Sequence, residues 1–219
     1  MFVNKSVFRS YDVRGAVPAE MDATTAYAVG KAFAAFNPAR LVVVGYDHRA
    51  STPSLRDALI NGLLDAGVNV WDLGQVTTDM TYFSSWFYAQ EGVEGAVMIT
   101  ASHMPAQFNG FKFITKALQP IGQGSGMEEL YELAAVVQEQ KQDAVKRGTV
   151  TAKDVLQDYL NFVRSFADLK RIKPFKVVMD CGNGVAGPVV QKVFAGLPLE
   201  ITELCFTPDS SFPNHEANP

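Results

Sequence analysis

Ser102 and His103 stand just past the apolar run EGAVMIT, in the stretch VMITASHMPAQFNGFKF, and Asn109 and Lys112 follow within ten residues. A serine in that company has three readings: a turn residue, a hydrolase nucleophile, or the carrier of a phosphoryl group. The G-x-S-x-G elbow of a hydrolase is absent, and an adjacent histidine rarely reaches its neighbour's hydroxyl in line. A hydroxyl carrying phosphate needs cations and donors to offset about two negative charges. His103, Lys112 and backbone amides can supply them. Arg14, in RSYDVRG, precedes a glycine that can turn tightly toward such a site. Asp47 and Arg49 follow a second apolar run, in VVVGYDHR.

Those residues must be positioned by the elements around them. ATTAYAVGKAFAAFN has helical spacing and stops at Asn37-Pro38. RLVVVGYD is β-branched and short, as a buried strand is. STPSLRDALINGLLDAG places Ser51 or Thr52 as an N-cap, Pro53 in the first turn and Gly67 past the end. VNVWDLG and EGAVMIT predict two further strands, with a helix over TTDMTYFSSWFYAQ between them. GFKFI predicts a short strand returning along the sheet. Strand, helix, strand, helix, strand predicts an α/β fold: a mixed, mostly parallel sheet covered by helices on both faces. In such sheets ligands collect beyond the carboxyl ends of the strands, where Asp47, Arg49, Ser102 and His103 fall.

GMEELYELAAVVQEQKQDAVKRG and AKDVLQDYLNFVRSFADL read as two long polar-faced helices bridging to a second α/β unit. There PFKVVMDCGNGVAGPVVQKVFAGL predicts strand, Gly-rich turn and helix, and LEITELC another strand. The turn lacks the lysine of a P-loop and does not fit G-x-G-x-x-G, so packing of helix on strand explains it. Two strands and one helix cannot close a core of normal size, so the chain is expected to hold one domain over 1–150 and a linker helix with an incomplete second α/β domain over 151–219.

Composition excludes several classes. The net charge of −4 comes with no basic run, which leaves no electrostatic footprint for nucleic acid or an anionic membrane surface. No apolar run reaches the roughly 18–20 residues of a membrane span, and the N-terminus lacks a secretory h-region, so a cytoplasmic address is expected. Cys181 and Cys205 match no zinc or CxxC spacing and read as buried free thiols. His48, His103 and His215 form no i, i+4 pair, which argues against a preassembled histidine metal site.

FRSYDVRG, GYDHR, TASHMPAQFNGFK and DCGNGVAGPVV, in this order and spacing, resemble the α-D-phosphohexomutase superfamily, in its phosphomannomutase/phosphoglucomutase branch. The glucosamine-phosphate branch opens instead with a segment like FGTDGIRG. The resemblance implies that Ser102 is the phosphoserine, donating its phosphoryl group to a hexose phosphate and regaining one from the hexose 1,6-bisphosphate so formed. It implies Arg14 and Lys112 beside the phosphoserine, His103 next to it and Tyr11 facing the sugar. Arg49 is expected to bind substrate. Lys112 or His103 could move the proton of the sugar hydroxyl. Mg²⁺ is implied as cofactor, with Ser102 contributing through its phosphate and the remaining ligands in a DGDxDR loop.

This chain departs from the pattern in two ways. Met104 stands where the serine loop usually has asparagine, and Phe108 where tyrosine is common. No DGDxDR loop occurs, and FPNHEANP is similar to the segment preceding it in longer relatives, so the chain reads as the N-terminal part of a longer mutase, inactive alone, with order weakening beyond about residue 205. The rival readings are a non-catalytic sugar-phosphate-binding module and a phosphoglucosamine mutase. A flavodoxin-like nucleotide-binding domain rests on fold analogy alone.

Overall fold

Alternation along one strand shows how the first sheet is buried. In Leu41–Tyr46 (β2), Val42 and Val44 point into one core and Val43 into the other. A strand with apolar side chains on both faces must be covered on both, and it is. The computed structural model describes residues 3–137 and 146–218. Within it, Ala23–Phe36 (α1), Thr52–Asp65 (α2) and Met127–Val136 (α4) cover one face of the sheet, while Thr78–Phe87 (α3) and Leu156–Ser165 (α5) cover the other.

The six strands lie in the order β1-β5-β4-β2-β3-β6, where β1 is Val13–Ala16, β3 Asn69–Gln75, β4 Ala96–Ile99, β5 Phe108–Ile114 and β6 Val150–Ala152. β2 pairs in parallel with β3 on one side and with β4 on the other. The chain therefore leaves β2 in one direction and returns on its opposite flank, a switch point that opens a crevice beyond the strand ends. Asp47 and Ser102 flank that crevice. β5 runs antiparallel to both β4 and β1, with Met98 opposite Lys112 and Arg14 opposite Gly110.

Local signals set the helix boundaries. Asp22 caps α1 by accepting from the Thr25 amide, and Thr77 caps α3 by accepting from the Met80 amide. α1 and α2 cross where two glycines remove side chains from the contact. A Cβ on Gly30 would lie 2.3 Å from the Leu59 carbonyl oxygen, and one on Gly62 would lie 2.3 Å from that of Tyr27. Backbone cannot yield as a flexible side chain does, so Gly30→Ala must push the helices apart. It is expected to cost about 1–3 kcal/mol, the range for overpacking a core, read as a lower urea midpoint at unchanged slope. A shift below about 0.5 kcal/mol would show the crossing to be loosely packed.

The second unit consists of Phe175–Asp180 (β7), Ala186–Phe194 (α6) and Leu199–Leu204 (β8), with β7 and β8 parallel. Phe175, Val178 and Leu204 are exposed, because two strands and one helix leave the faces of this sheet open.

The mixed α/β class and the partial second unit agree with the sequence reading, but four details do not. β1 falls where the sequence predicts no strand, and the helix predicted over 152–169 begins only at Leu156, its first residue Ala152 closing β6. The helix predicted over 126–148 is α4 for its first part, while 138–145 lie outside the described residues. α4 is also no bridge: Met127, Leu130 and Ala134 are buried in the first core. Nor does the chain lose its ties past 205. Phe206 is buried, the Asn183 side chain donates to the Thr207 carbonyl at 2.9 Å, and Asp209 donates its amide to the Asn183 carbonyl at 2.9 Å.

Candidate functional site

Ser102 follows β4 in the left-handed region, with φ 54°, a conformation that a non-glycine residue adopts only when its surroundings hold it there. Its amide donates to Thr100 Oγ1 at 2.8 Å, and Thr100 is itself tied to β5 through the Gly110 carbonyl at 2.9 Å. The Ser102 hydroxyl remains exposed, 3.4 Å from His103 Nδ1.

Arg49 holds the carbonyl side of this loop. It is 1% exposed, and its five N–H donors are all engaged. Nε donates to Asp47 at 3.2 Å; one terminal nitrogen donates to the Pro105 and Phe108 carbonyls at 2.7 and 2.9 Å, and the other to those of Ser102 and Met104 at 2.8 and 2.7 Å. Burial pushes the Arg49 guanidinium below its usual pKa, the Asp47 carboxylate opposes that shift, and the charge of Arg14 adds to it. Asp47 is fixed in turn by Thr52 at the start of α2, which donates to it at 2.9 Å. Arg49 thus has no donor left for a sugar phosphate, which corrects the expectation that it binds substrate. Met104 loses nothing in this arrangement, because the clamp takes its backbone carbonyl. Asn109, fully buried, donates to Ser51 and Thr52 at 2.9 and 3.0 Å and ties β5 to α2.

Arg14 and Lys112 come together on adjacent strands through a residue that sequence reasoning passed over. The buried Asp12 accepts from both, from Lys112 Nζ at 3.1 Å and from Arg14 over a shorter contact. Two cations on one carboxylate leave a net positive patch. The Arg14 Nε is buried without a hydrogen-bond partner. Tyr11 stands apart, 85% exposed. Nearby Tyr82 has its phenol pKa raised by burial and then by Asp12.

The second unit closes one side of the crevice. The Phe212 ring lies 5.3 Å from the Arg49 guanidinium and 5.8 Å from the His48 ring, and a cleft of about 150 Å³ runs between His103, Pro105 and Ala106 on one side and Ser211, Phe212 and Glu216 on the other. A wider cavity of about 550 Å³ lies between the N-terminal segment and α4, at Lys5, Phe8 and Tyr131, and includes no residue of the serine loop. The smaller cleft adjoins the serine loop through His103, Pro105 and Ala106, which makes it the candidate site; volume alone would have chosen the other. No periodicity or motif in the sequence points to Phe212.

Residues 5–141 match the family model for the alpha/beta/alpha domain I of phosphoglucomutase/phosphomannomutase, and residues 157–219 match that for domain II. The chain belongs to the phosphoglucomutase/phosphomannomutase family. Among its relatives, a phosphomannomutase of Escherichia coli strain K12 is 34% identical over 217 residues, a match covering 97% of this chain and 47% of that one. A phosphoglucomutase of Neisseria meningitidis serogroup B is 35% identical over 221 residues, covering 99% and 46%. The crystal structure of a phosphoglucomutase/phosphomannomutase family protein from Burkholderia thailandensis superposes with a TM-score of 0.83 at 33% identity, over 98% of this chain and 47% of that one. The chain spans about half the length of the curated relatives it matches. No helix among the described residues is long and apolar enough to cross a membrane.

Family membership raises the question of Mg²⁺, a hard cation that takes a near-octahedral set of oxygens. Among the described residues, one group of three or more acidic, histidine and cysteine ligands occurs: Asp180, Cys205 and His215, which mixes sulfur and nitrogen with oxygen and lies at the ends of β7 and β8. No such carboxylate group adjoins Ser102. The described residues of this chain therefore do not by themselves fit Mg²⁺.

Proposed function

We propose that the protein from which these residues come is a phosphohexomutase that interconverts hexose 1-phosphate and hexose 6-phosphate, with mannose and glucose as the sugars, using Ser102 as phosphoryl carrier. The observation that carries this reading is the exposed Ser102 hydroxyl, held in a left-handed turn by the inward-facing Arg49. In the forward half-reaction the bond from Ser102 Oγ to phosphorus breaks as a hexose hydroxyl oxygen bonds to that phosphorus. The hydroxyl proton leaves, and Oγ ends as a hydroxyl. The hexose 1,6-bisphosphate then turns over and returns its other phosphoryl group to Ser102. Such transfers depend on positioning and charge neutralisation more than on covalent help. Arg14 and Lys112, held by Asp12, supply positive charge, while His103, with Nδ1 3.4 Å from Oγ, is our candidate for moving the proton. Tyr11, 85% exposed, is assigned to the sugar. Residues 1–150 are assigned to the domain that carries this loop, with β6 and α5 still packed on its sheet, and the next domain is assigned to start within 151–219.

A coupled assay tests the reading. With Mg²⁺ and a hexose 1,6-bisphosphate primer, the longer parent protein should convert glucose 1-phosphate and mannose 1-phosphate. The 219 residues alone should show no turnover, since among the described residues no oxygen cluster for Mg²⁺ lies beside Ser102. Conversion of glucosamine phosphate alone would reassign the substrate, binding without conversion would favour a non-catalytic module, and robust turnover by the 219 residues would move the catalytic apparatus from where it is placed here.

A further inference from the structure

We propose that the carboxyl ends of β7 and β8 and the segment after β8 form a binding site for a thiophilic divalent cation such as Zn²⁺, with Asp180, Cys205 and His215 as its protein ligands. Their ligand atoms all lie within 4.8 Å of one another. His215 Nε2 and Asp180 Oδ2 are 3.1 Å apart, close to the edge of about 3.3 Å that a tetrahedron of Zn–N and Zn–O bonds requires. Modest contraction around Cys205 would complete three corners, leaving the fourth to water.

Asp180 and His215 are each oriented by a second contact. Asp180 ends β7, and its other oxygen accepts from the Gly182 amide at 2.8 Å, which leaves Oδ2 directed at the cluster. His215 Nδ1 lies 2.6 Å from the Glu216 carbonyl oxygen. A carbonyl only accepts, so Nδ1 carries the hydrogen and Nε2 faces Asp180, the arrangement that backbone carbonyls impose on metal-binding histidines. The ring thus meets an acceptor at each end, and the gap between Nε2 and Oδ2 calls for a cation, either a second ring proton or a metal. Cys205 follows β8 in the left-handed region, φ 52°, a bend that places its thiol within 4.8 Å of the Asp180 and His215 ligand atoms. Asn214 is anchored by donating to Asn183 Oδ1 at 2.9 Å.

The donor set selects the metal. A thiolate and an imidazole with one carboxylate suit zinc or cobalt and disfavour Mg²⁺, which separates this site from any Mg²⁺ chemistry at the serine. All three ligands are partly open to solvent, so a cation can enter. The sequence hides the site because its residues come from two strand ends and a loop rather than from one motif. A bound cation would also fix the segment that places Phe212 over Arg49 and His48.

The test is a Co²⁺ titration of the 219-residue chain, freed of metal by a chelator and kept reduced with a phosphine. Thiolate-to-cobalt charge-transfer absorption should saturate at one equivalent, vanish on adding Zn²⁺ and persist in millimolar Mg²⁺. Cys205→Ser should abolish the band, and His215→Gln should weaken binding at least about 100-fold, the upper end of the loss caused by removing an outer-shell partner. Cys181→Ser should retain the band, which separates the site from any adventitious thiol. Circular dichroism of each variant distinguishes lost binding from lost fold. Absence of a band in the unaltered chain, its survival in Cys205→Ser, or its loss in Cys181→Ser with the fold intact would overturn the proposal.

Discussion

Replacing Ser102 by alanine in the longer parent protein is expected to lower mutase turnover by on the order of 10⁴-fold or more, the scale on which enzymes lose rate when a covalent carrier is removed. The side chain is exposed, and its hydroxyl has His103 as its near neighbour at 3.4 Å, so nothing structural depends on it. Folding stability should therefore move by no more than about 0.5 kcal/mol, as for ordinary surface substitutions. The combination is diagnostic, since a turn residue would give the reverse: little loss of rate and some loss of stability. The hydroxyls tied to this loop and to α2 are already engaged. Thr100 is buried and accepts from the Ser102 amide, and Ser51 and Thr52 are occupied with Asn109. Near-normal turnover of Ser102→Ala would remove the phosphoserine from the account.

Arg49→Ala is the second large effect, and its cause differs. The substitution strips four loop carbonyls and the Asp47 carboxylate of their donors in a buried place. Removing one partner of a buried ion pair costs roughly 3–5 kcal/mol, and each stranded polar group adds to that. The loss should appear in urea denaturation, and the amides of residues 101–108 should exchange faster with solvent. Arg49→Lys should recover little of it, because an ammonium offers three donors without the planar fork that spans four carbonyls. A substrate-binding arginine would behave otherwise, with Arg49→Ala raising KM and leaving stability near normal. That outcome would refute the clamp.

The sequence made the strands β2, β3 and β4, the helices between them and the serine loop legible, because each is specified locally. LVVVGY is a buried strand whatever its neighbours do, and Asn37-Pro38 ends a helix wherever it falls. What remained unread depends on partners distant in the chain. VRGA forms a strand only because β5 lies alongside it, and Val150–Ala152 only because β3 does. Arg49 at a strand end looks like a substrate ligand until its burial is known, and burial of a single arginine has no sequence signature. Asp12 failed to register because its importance lies in two cations brought to it across a sheet. Asp180, Cys205 and His215 converge for the same reason.

The central claim is that Ser102 carries the phosphoryl group, and locating that group tests it most directly. The longer parent protein, incubated with a hexose 1,6-bisphosphate and digested, should show by tandem mass spectrometry a single phosphorylated site at Ser102. Adding excess hexose 1-phosphate that bears no phosphoryl label should discharge a labelled Ser102 into bisphosphate at a rate compatible with turnover. A phosphoryl group found on another residue, or active turnover with Ser102 never phosphorylated, would contradict the account.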